Sequence, residues 1–530
     1  MTSVYTILGV FAAAAVAVNV KHARTESIEW GPCADWFTGP VPIQCGNITV
    51  PLDYADPDST ETLEIELLKV PALKGPSKGS ILFNFGGPGG PARGSLATRG
   101  YLLQAATGGN HDLIGWDPRG TGNTTTFTCF STEEEQAIYS AALPKTLGNN
   151  SNPASVARAW AGMGVIADYC YEKPESNKTG SLISTAYTAR DMMKIVDAVE
   201  EDGLLRYWGT SYGTVLGATV AAMFPDRVGR VLLDSAANPH EWYSGFNIEW
   251  LLSADETLTA FFQTCLDAPN CVLAKGNETA QSLSEQFWSY LGQRQLRPIA
   301  VGPSVIDQST IASTVRPALY DPTRWPLLSV WLHGLYTGNA TLFGEAALAL
   351  LERTPSLHTE GNGDQSPWGI QCADKGPRIN DLDDFLPIVD EIDEASRTVG
   401  NIMWNIEAAC SQWKIKPRER YEGGFNNIKT KNPLLVFSHS LDPATSIVGA
   451  KNATAGFEGS VLLQTDGYGH GWRAHPSVCA TKAIQKYFDE GVLPEPGTVC
   501  KTDVVPFQNF TDTDEAWKAL LPQIGFDSNP

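Results

Sequence analysis

Short apolar-rich runs recur through the first and last parts of the chain, at Leu63–Leu68, Ser80–Phe85, Asp112–Trp116, Leu204–Trp208, Arg230–Leu233, Leu434–Phe437 and Val461–Leu463. Runs of this length suit strands buried on both faces, so they predict an α/β fold whose mostly parallel sheet is flanked by helices. Between Thr185 and Glu201 the apolar residues Tyr187, Met192, Ile195, Val196 and Val199 fall at helical spacing, which predicts a helix ahead of the Leu204–Trp208 strand. From about Glu241 to Lys431 the strand-like runs stop and the chain turns helical, aromatic and punctuated by Pro and Gly. We read that stretch as an inserted cap. The predicted organisation is a leader over residues 1–23, a first core part over 24–240, the cap over 241–430, and a second core part over 431–530.

At the end of the Leu204–Trp208 run stands Gly209-Thr210-Ser211-Tyr212-Gly213, followed by the small-residue helical run Val215–Met223. A Ser on a sharp strand-to-helix turn needs residues without side chains two positions before and after it, where the backbones crowd. Ser211 is the candidate nucleophile. A Ser hydroxyl needs a His as general base and an acid to orient that His, and for this elbow the chain order is Ser, acid, His. Asp442 follows the Leu434–Phe437 run and His470 lies in the Gly-flanked loop after Val461–Leu463. Both are loops beyond strand C-termini, where α/β sheets carry function. His439, His475 and Asp466 fit these roles less well: His439 precedes the acid, His475 lacks the Gly-flanked loop, and Asp466 shares the loop of His470. For the oxyanion, Phe85-Gly86-Gly87-Pro88-Gly89-Gly90 follows another strand, and the N–H groups of Gly87 and Tyr212 are the expected donors. No Lys-Ser/Thr follows this Gly run, which argues against a phosphate-binding loop.

Residues Val4–Val20 form an apolar stretch followed by Lys21, His22 and Arg24, which reads as a secretory signal peptide, a retained membrane anchor being the alternative for a run at the short end of what spans a bilayer. The ten Cys include no C-x-x-C and suggest five disulfides made in an oxidising compartment. Nearest-neighbour pairing, 33 with 45, 129 with 170, 265 with 271, 372 with 410 and 479 with 500, is the simplest connectivity. Eight N-x-S/T sequons begin at Asn47, Asn123, Asn149, Asn177, Asn277, Asn339, Asn452 and Asn509, against roughly three or four expected by chance. A secreted glycoprotein without stable membrane association is expected. The net charge of -21 and the absence of a basic run argue against nucleic acid as a partner.

Taken as a set, these motifs resemble the proline iminopeptidase and tripeptidyl aminopeptidase group of α/β-hydrolases, particularly secreted members with a tripeptidyl-aminopeptidase-like C-terminal segment. Phe85–Gly90 resembles the group's oxyanion loop, with Phe85 in place of His or Pro. Trp116–Gly122 resembles its D-P-R-G-x-G segment and Gly209–Thr214 its G-x-S-Y-G-T elbow. Ile370–Asp374, Cys410–Trp413 and Leu441–Thr445 are similar to its I-x-C-x-D, C-x-x-W and L-D-P-x-T elements. The resemblance implies an α/β-hydrolase fold with a large, mainly helical cap, and a serine exopeptidase acting on a peptide or small-molecule substrate. It implies no metal or organic cofactor. Such an enzyme must recognise a free α-amino group, and Asp374 in the cap is the candidate carboxylate, a structural salt bridge for it being equally open. Asp117 and Arg119 are expected to brace their loop as a pair. An esterase or amidase acting on a small apolar metabolite is the alternative, because the same triad serves esters.

Overall fold

A computed structural model describes residues 27–143, 153–199, 201–301, 304–352, 365–508 and 512–528. The expected signal peptide and the sequons at Asn149 and Asn509 lie outside the described residues. Eleven strands are present among the described residues: β1 Gln44–Pro51, β2 Thr62–Val70, β3 Ser80–Asn84, β4 Asp112–Trp116, β5 Leu205–Thr210, β6 Val228–Asp234, β7 Ile299–Val301, β8 Ser304–Ile306, β9 Leu435–Leu441, β10 Val461–Tyr468 and β11 Val499–Cys500. Nine of them form one sheet in the order β1-β2-β4-β3-β5-β6-β9-β10-β11, and β7 and β8 form a separate hairpin.

The β1–β2 and β2–β4 pairs are antiparallel, and every other pair in the large sheet is parallel. Each predicted run became a strand, and the central ones show why: all five residues of β3 are buried, as burial on both faces requires. β1 has no such signal. Its outward residues Asn47 and Thr49 are exposed, and among the described residues it pairs with β2 and, at Cys45, through an isolated bridge with Gly31. The helix predicted ahead of β5 runs Thr185–Ala198, and its N-terminus is capped by Ser184, whose Oγ accepts from Tyr187 N–H. The helix after β5 runs Tyr212–Met223 and is buried along nearly its whole length, which its Gly and Ala content permits.

The helices between β6 and β9 divide between two apolar cores. Helices Ser366–Asp374, Leu382–Ala395 and Gly400–Ser411 join the sheet's own core together with helix Pro153–Glu172. Helices Ala254–Asp267 through Ala340–Glu352 bury Phe261, Phe262, Phe287, Trp325 and Trp331 in a second core. The five disulfides join Cys33–Cys45, Cys129–Cys170, Cys265–Cys271, Cys372–Cys410 and Cys479–Cys500, the nearest-neighbour pairing expected from the sequence. No helix among the described residues is long and apolar enough to cross a membrane.

Candidate active site

Ser211 stands between β5 and helix Tyr212–Met223 at φ 60° and ψ -126°, a conformation that L side chains rarely adopt. The crowding that dictates its neighbours is visible: a Cβ on Gly209 would lie 2.2 Å from Gly213 O, and one on Gly213 would lie 2.6 Å from Asn84 O. The turn is held by Ser211 N–H donating to Asp234 O at 3.1 Å and by Thr214 N–H donating to Ser211 O at 2.8 Å.

Asp442 follows directly on β9 and is fully buried. Its Oδ1 accepts from the N–H groups of Ala444 and Thr445 at 2.9 and 3.0 Å, which fixes the carboxylate in its loop. Nδ1 of His470 lies 3.0 Å from each carboxylate oxygen. Burial alone would raise this carboxyl, but the adjacent His470 and its hydrogen bond outweigh burial and hold it below the usual carboxylate range. The ionised form is therefore the one facing the imidazole. His470 follows β10, donates its N–H to Tyr320 O at 2.8 Å, and packs its ring 5.0 Å from the Tyr320 ring. The next residue, Gly471, donates its N–H to Ser235 Oγ at 2.7 Å and stands beside Thr210, so the His loop lies against the elbow.

The oxyanion candidates flank the same Ser. Gly86, at φ 90°, is packed so tightly on the elbow that a Cβ there would lie 2.8 Å from Ser211 Cβ and 3.1 Å from Tyr212 N. That contact carries the Gly87 loop to Ser211. Among the described residues no acceptor takes up the N–H of Gly87 or of Tyr212. Helix Ser366–Asp374 begins over this loop, with Ser366 and Pro367 against Gly89.

Asp374 does not face an opening. Its side chain is fully buried: Oδ1 accepts from Thr185 N–H at 3.0 Å, and Oδ2 accepts from Thr185 Oγ1 and from Trp242 Nε1 at 2.9 Å. Thr185 Oγ1 is also 2.6 Å from the Tyr212 hydroxyl. Burial, with those hydrogen bonds opposing it, pushes the Asp374 carboxyl up to about 6. With both oxygens engaged it braces Tyr212, the residue after Ser211, through hydrogen bonds by way of Thr185, and among the described residues no Lys, Arg or His makes the expected salt bridge to its side chain. Asp117 and Arg119 are likewise corrected. They do not pair with each other: Asp117 Oδ2 accepts from Arg93 Nε at 2.8 Å, and Arg119 makes a two-point bond to Asp191 with both distances 2.7 Å.

The rival histidines are placed as supports. His439 is buried with Nε2 3.1 Å from Gly471 O, and burial lowers it to about 3, so it is neutral at ordinary pH. His475 accepts from Tyr468 N–H at 3.0 Å on Nδ1 and places Nε2 2.7 Å from Val504 O. Asp466 accepts from Thr502 at the surface.

Two half-buried carboxylates without any motif of their own, Glu241 and Glu249, lie on the segment leaving β6. Both oxygens of Glu241 accept from the N–H of Glu249, at 3.0 and 3.1 Å. Glu249 in turn accepts from Asn238 Nδ2 at 3.1 Å, and Ala237 N–H donates to Thr214 Oγ1 one turn after Ser211. Burial first, and then the charge of Glu249, push Glu241 up to about 7.

Two family models match the chain: one described as alpha/beta hydrolase fold, over residues 80–291, and one described as TAP-like protein, over residues 396–500. The chain is 26% identical over 510 residues to the tripeptidyl aminopeptidase of Streptomyces lividans, covering 92% of this chain and 89% of that one. It is 26% identical over 498 residues to serine protease Hip1 of Mycobacterium tuberculosis, covering 90% and 91%. It is 25% identical over 494 residues to carboxylesterase B of the same organism, covering 89% of each. An elbow Ser, an acid and a His on the loops after β5, β9 and β10, together with similarity along nine-tenths of the chain, lead to one assignment: the chain has the α/β-hydrolase fold, is similar to the TAP-like proteins, and is a serine hydrolase.

Proposed function

We propose that this protein is a secreted aminopeptidase that releases short peptides or residues from free amino termini through Ser211, His470 and Asp442. The observation that carries the reading is the placement of both Asp442 oxygens at 3.0 Å from His470 Nδ1, on a loop packed against the Ser211 elbow. In the first half-reaction Ser211 Oγ attacks the scissile carbonyl carbon and its proton passes to His470 Nε2, while Asp442 keeps the proton on Nδ1. The oxyanion takes hydrogen bonds from Gly87 and Tyr212 N–H, each such donor being worth about 3–4 kcal/mol in the transition state. The C–N bond breaks as His470 gives the proton to the leaving amine. Water, deprotonated by His470, then cleaves the acyl-enzyme and Ser211 regains its proton.

The exopeptidase part of the reading draws on the similarity to the Streptomyces tripeptidyl aminopeptidase and on the carboxylates Glu241 and Glu249, which offer negative charge for a substrate ammonium. Secretion draws on five disulfides and on the exposure of the sequon residues Asn47, Asn123, Asn277, Asn339 and Asn452. The similarity to carboxylesterase B favours the second reading, an esterase or amidase. Measuring kcat/KM for a chromogenic Ala-Ala-Pro amide and its N-acetylated twin, with Ser211→Ala as blank, separates the two. A strong preference for the free amine is expected. Equal or better turnover of the blocked compound would replace the aminopeptidase reading with the esterase one.

A further inference from the structure

Asp234 ends β6, and its carboxylate is buried with no Lys, Arg or His ion-paired to it among the described residues. A buried charge without a countercharge is expensive unless hydrogen bonds replace water. Here three donors offset part of that cost, and they come from two sides. Trp208 Nε1 and Thr210 Oγ1, on the strand leading into the elbow, donate to Oδ2 at 3.1 and 3.0 Å. Trp472 N–H, two residues past His470, donates to Oδ1 at 2.8 Å. The main-chain carbonyl of the same residue accepts from Ser211 N–H at 3.1 Å.

Ser235 continues the pattern. Its φ of 56° is left-handed, unusual for Ser, and is held by N–H donation to Phe437 O at 2.8 Å on β9. Its Oγ accepts from Gly471 N–H at 2.7 Å, and its carbonyl accepts from Thr445 Oγ1, three residues past Asp442, at 2.9 Å. Two consecutive residues thus bond directly to the elbow, the acid loop and the His loop, across as many as 238 positions of chain.

We propose that Asp234 and Ser235 are positioning residues that hold Ser211 and His470 in register with each other. Neither touches the substrate in this scheme. The inference rests on the triad reading above, since it is the Ser–His register that the pair sets. Displacements of about 1 Å between reacting groups can cost about 100-fold in rate. Asp234→Asn is nearly isosteric, but its amide nitrogen presents a donor where Trp208, Thr210 or Trp472 also donates, so one side of the bridge must open.

The test measures kcat and KM on a free-amine Ala-Ala-Pro amide, the rate of fluorophosphonate labelling, and Tm, for the parent, Asp234→Asn and Ser235→Ala. The expected result for Asp234→Asn is a kcat lower by about 10- to 100-fold with KM within about 3-fold, labelling slowed in step, and a cooperative melt. Ser235→Ala should show the same split at about 5-fold, and decides the matter if Asp234→Asn does not fold. A folded variant with kcat and labelling unchanged, or with the loss in KM alone, overturns the proposal while leaving the triad intact. A parent that the fluorophosphonate does not label overturns the triad reading itself.

Discussion

Asp442 presents both carboxylate oxygens to one nitrogen of His470, at 3.0 Å each. The two residues reach that position from adjacent parallel strands, β9 and β10, whose register also sets His439 beside Thr465. An imidazole gripped in this way has its Nδ1 proton fixed and its other nitrogen left for the nucleophile.

Asp442→Asn should therefore keep the fold and lose the tautomer. A fall of about 10,000-fold in kcat is expected, with fluorophosphonate labelling slowed in proportion. The pH dependence of stability has a definite sign. The folded-state carboxyl sits below its ordinary 3.8, so its contribution is complete above that value and is lost as pH falls through the lower folded value. Urea midpoints of parent and variant should differ by a constant amount at neutral pH and converge only below about pH 4.

Ser211 carries backbone strain that a side chain makes worse. Ser211→Gly should unfold at higher temperature than Ser211→Ala, by about 1 kcal/mol or more at the midpoint, while both are inactive. Equal Tm values for the two variants would mean that the φ of 60° is not strained in this setting.

Glu241→Gln and Glu249→Gln should each raise KM for a free-amine tripeptide amide by about 10-fold or more, and leave the N-acetylated compound unaffected. Glu241, held up to about 7, is neutral below that pH. Parent KM for the free amine should accordingly climb as pH falls from about 8 to about 6, and Glu241→Gln should remove that climb.

Asp374→Asn tests the brace behind Tyr212. With a folded value of about 6 against an ordinary 3.8, the folded protein binds more protons than the unfolded chain between those values, so the parent loses stability as pH rises through that window. The variant has no such group. Its Tm should lie below the parent's at pH 4, because Trp242 loses an acceptor, and the gap should narrow toward pH 6 and stay flat above it.

What the chain revealed in advance follows from where each signal resides. The strands of the sheet interior were legible because burial on both faces leaves an uninterrupted apolar run, as in β3 and β4. β1 was not, since three of its eight residues are exposed and its pairing with β2 is a tertiary fact. Ser211, Asp442 and His470 were legible as candidates because each sits in a loop with steric demands on its glycines or with a strand before it. Asp374 was legible as a residue but not as a contact, because only the fold shows Thr185 and Trp242 consuming its oxygens. Arg119 finds Asp191 and Asp117 finds Arg93, partners that proximity in sequence could not select. Glu241 and Glu249 had nothing local to distinguish them from the other acidic residues among 59.

Tyr320 ends a helix of the second apolar core, and its carbonyl holds the backbone N–H of His470. None of the five disulfides joins that helical layer to the sheet. The layer is free, covalently, to swing away from the sheet, but doing so breaks the bond that steadies His470, the proposed general base. Admission of substrate by wholesale opening would thus disarm the enzyme for as long as the door stood open, and re-closure would be part of every turnover.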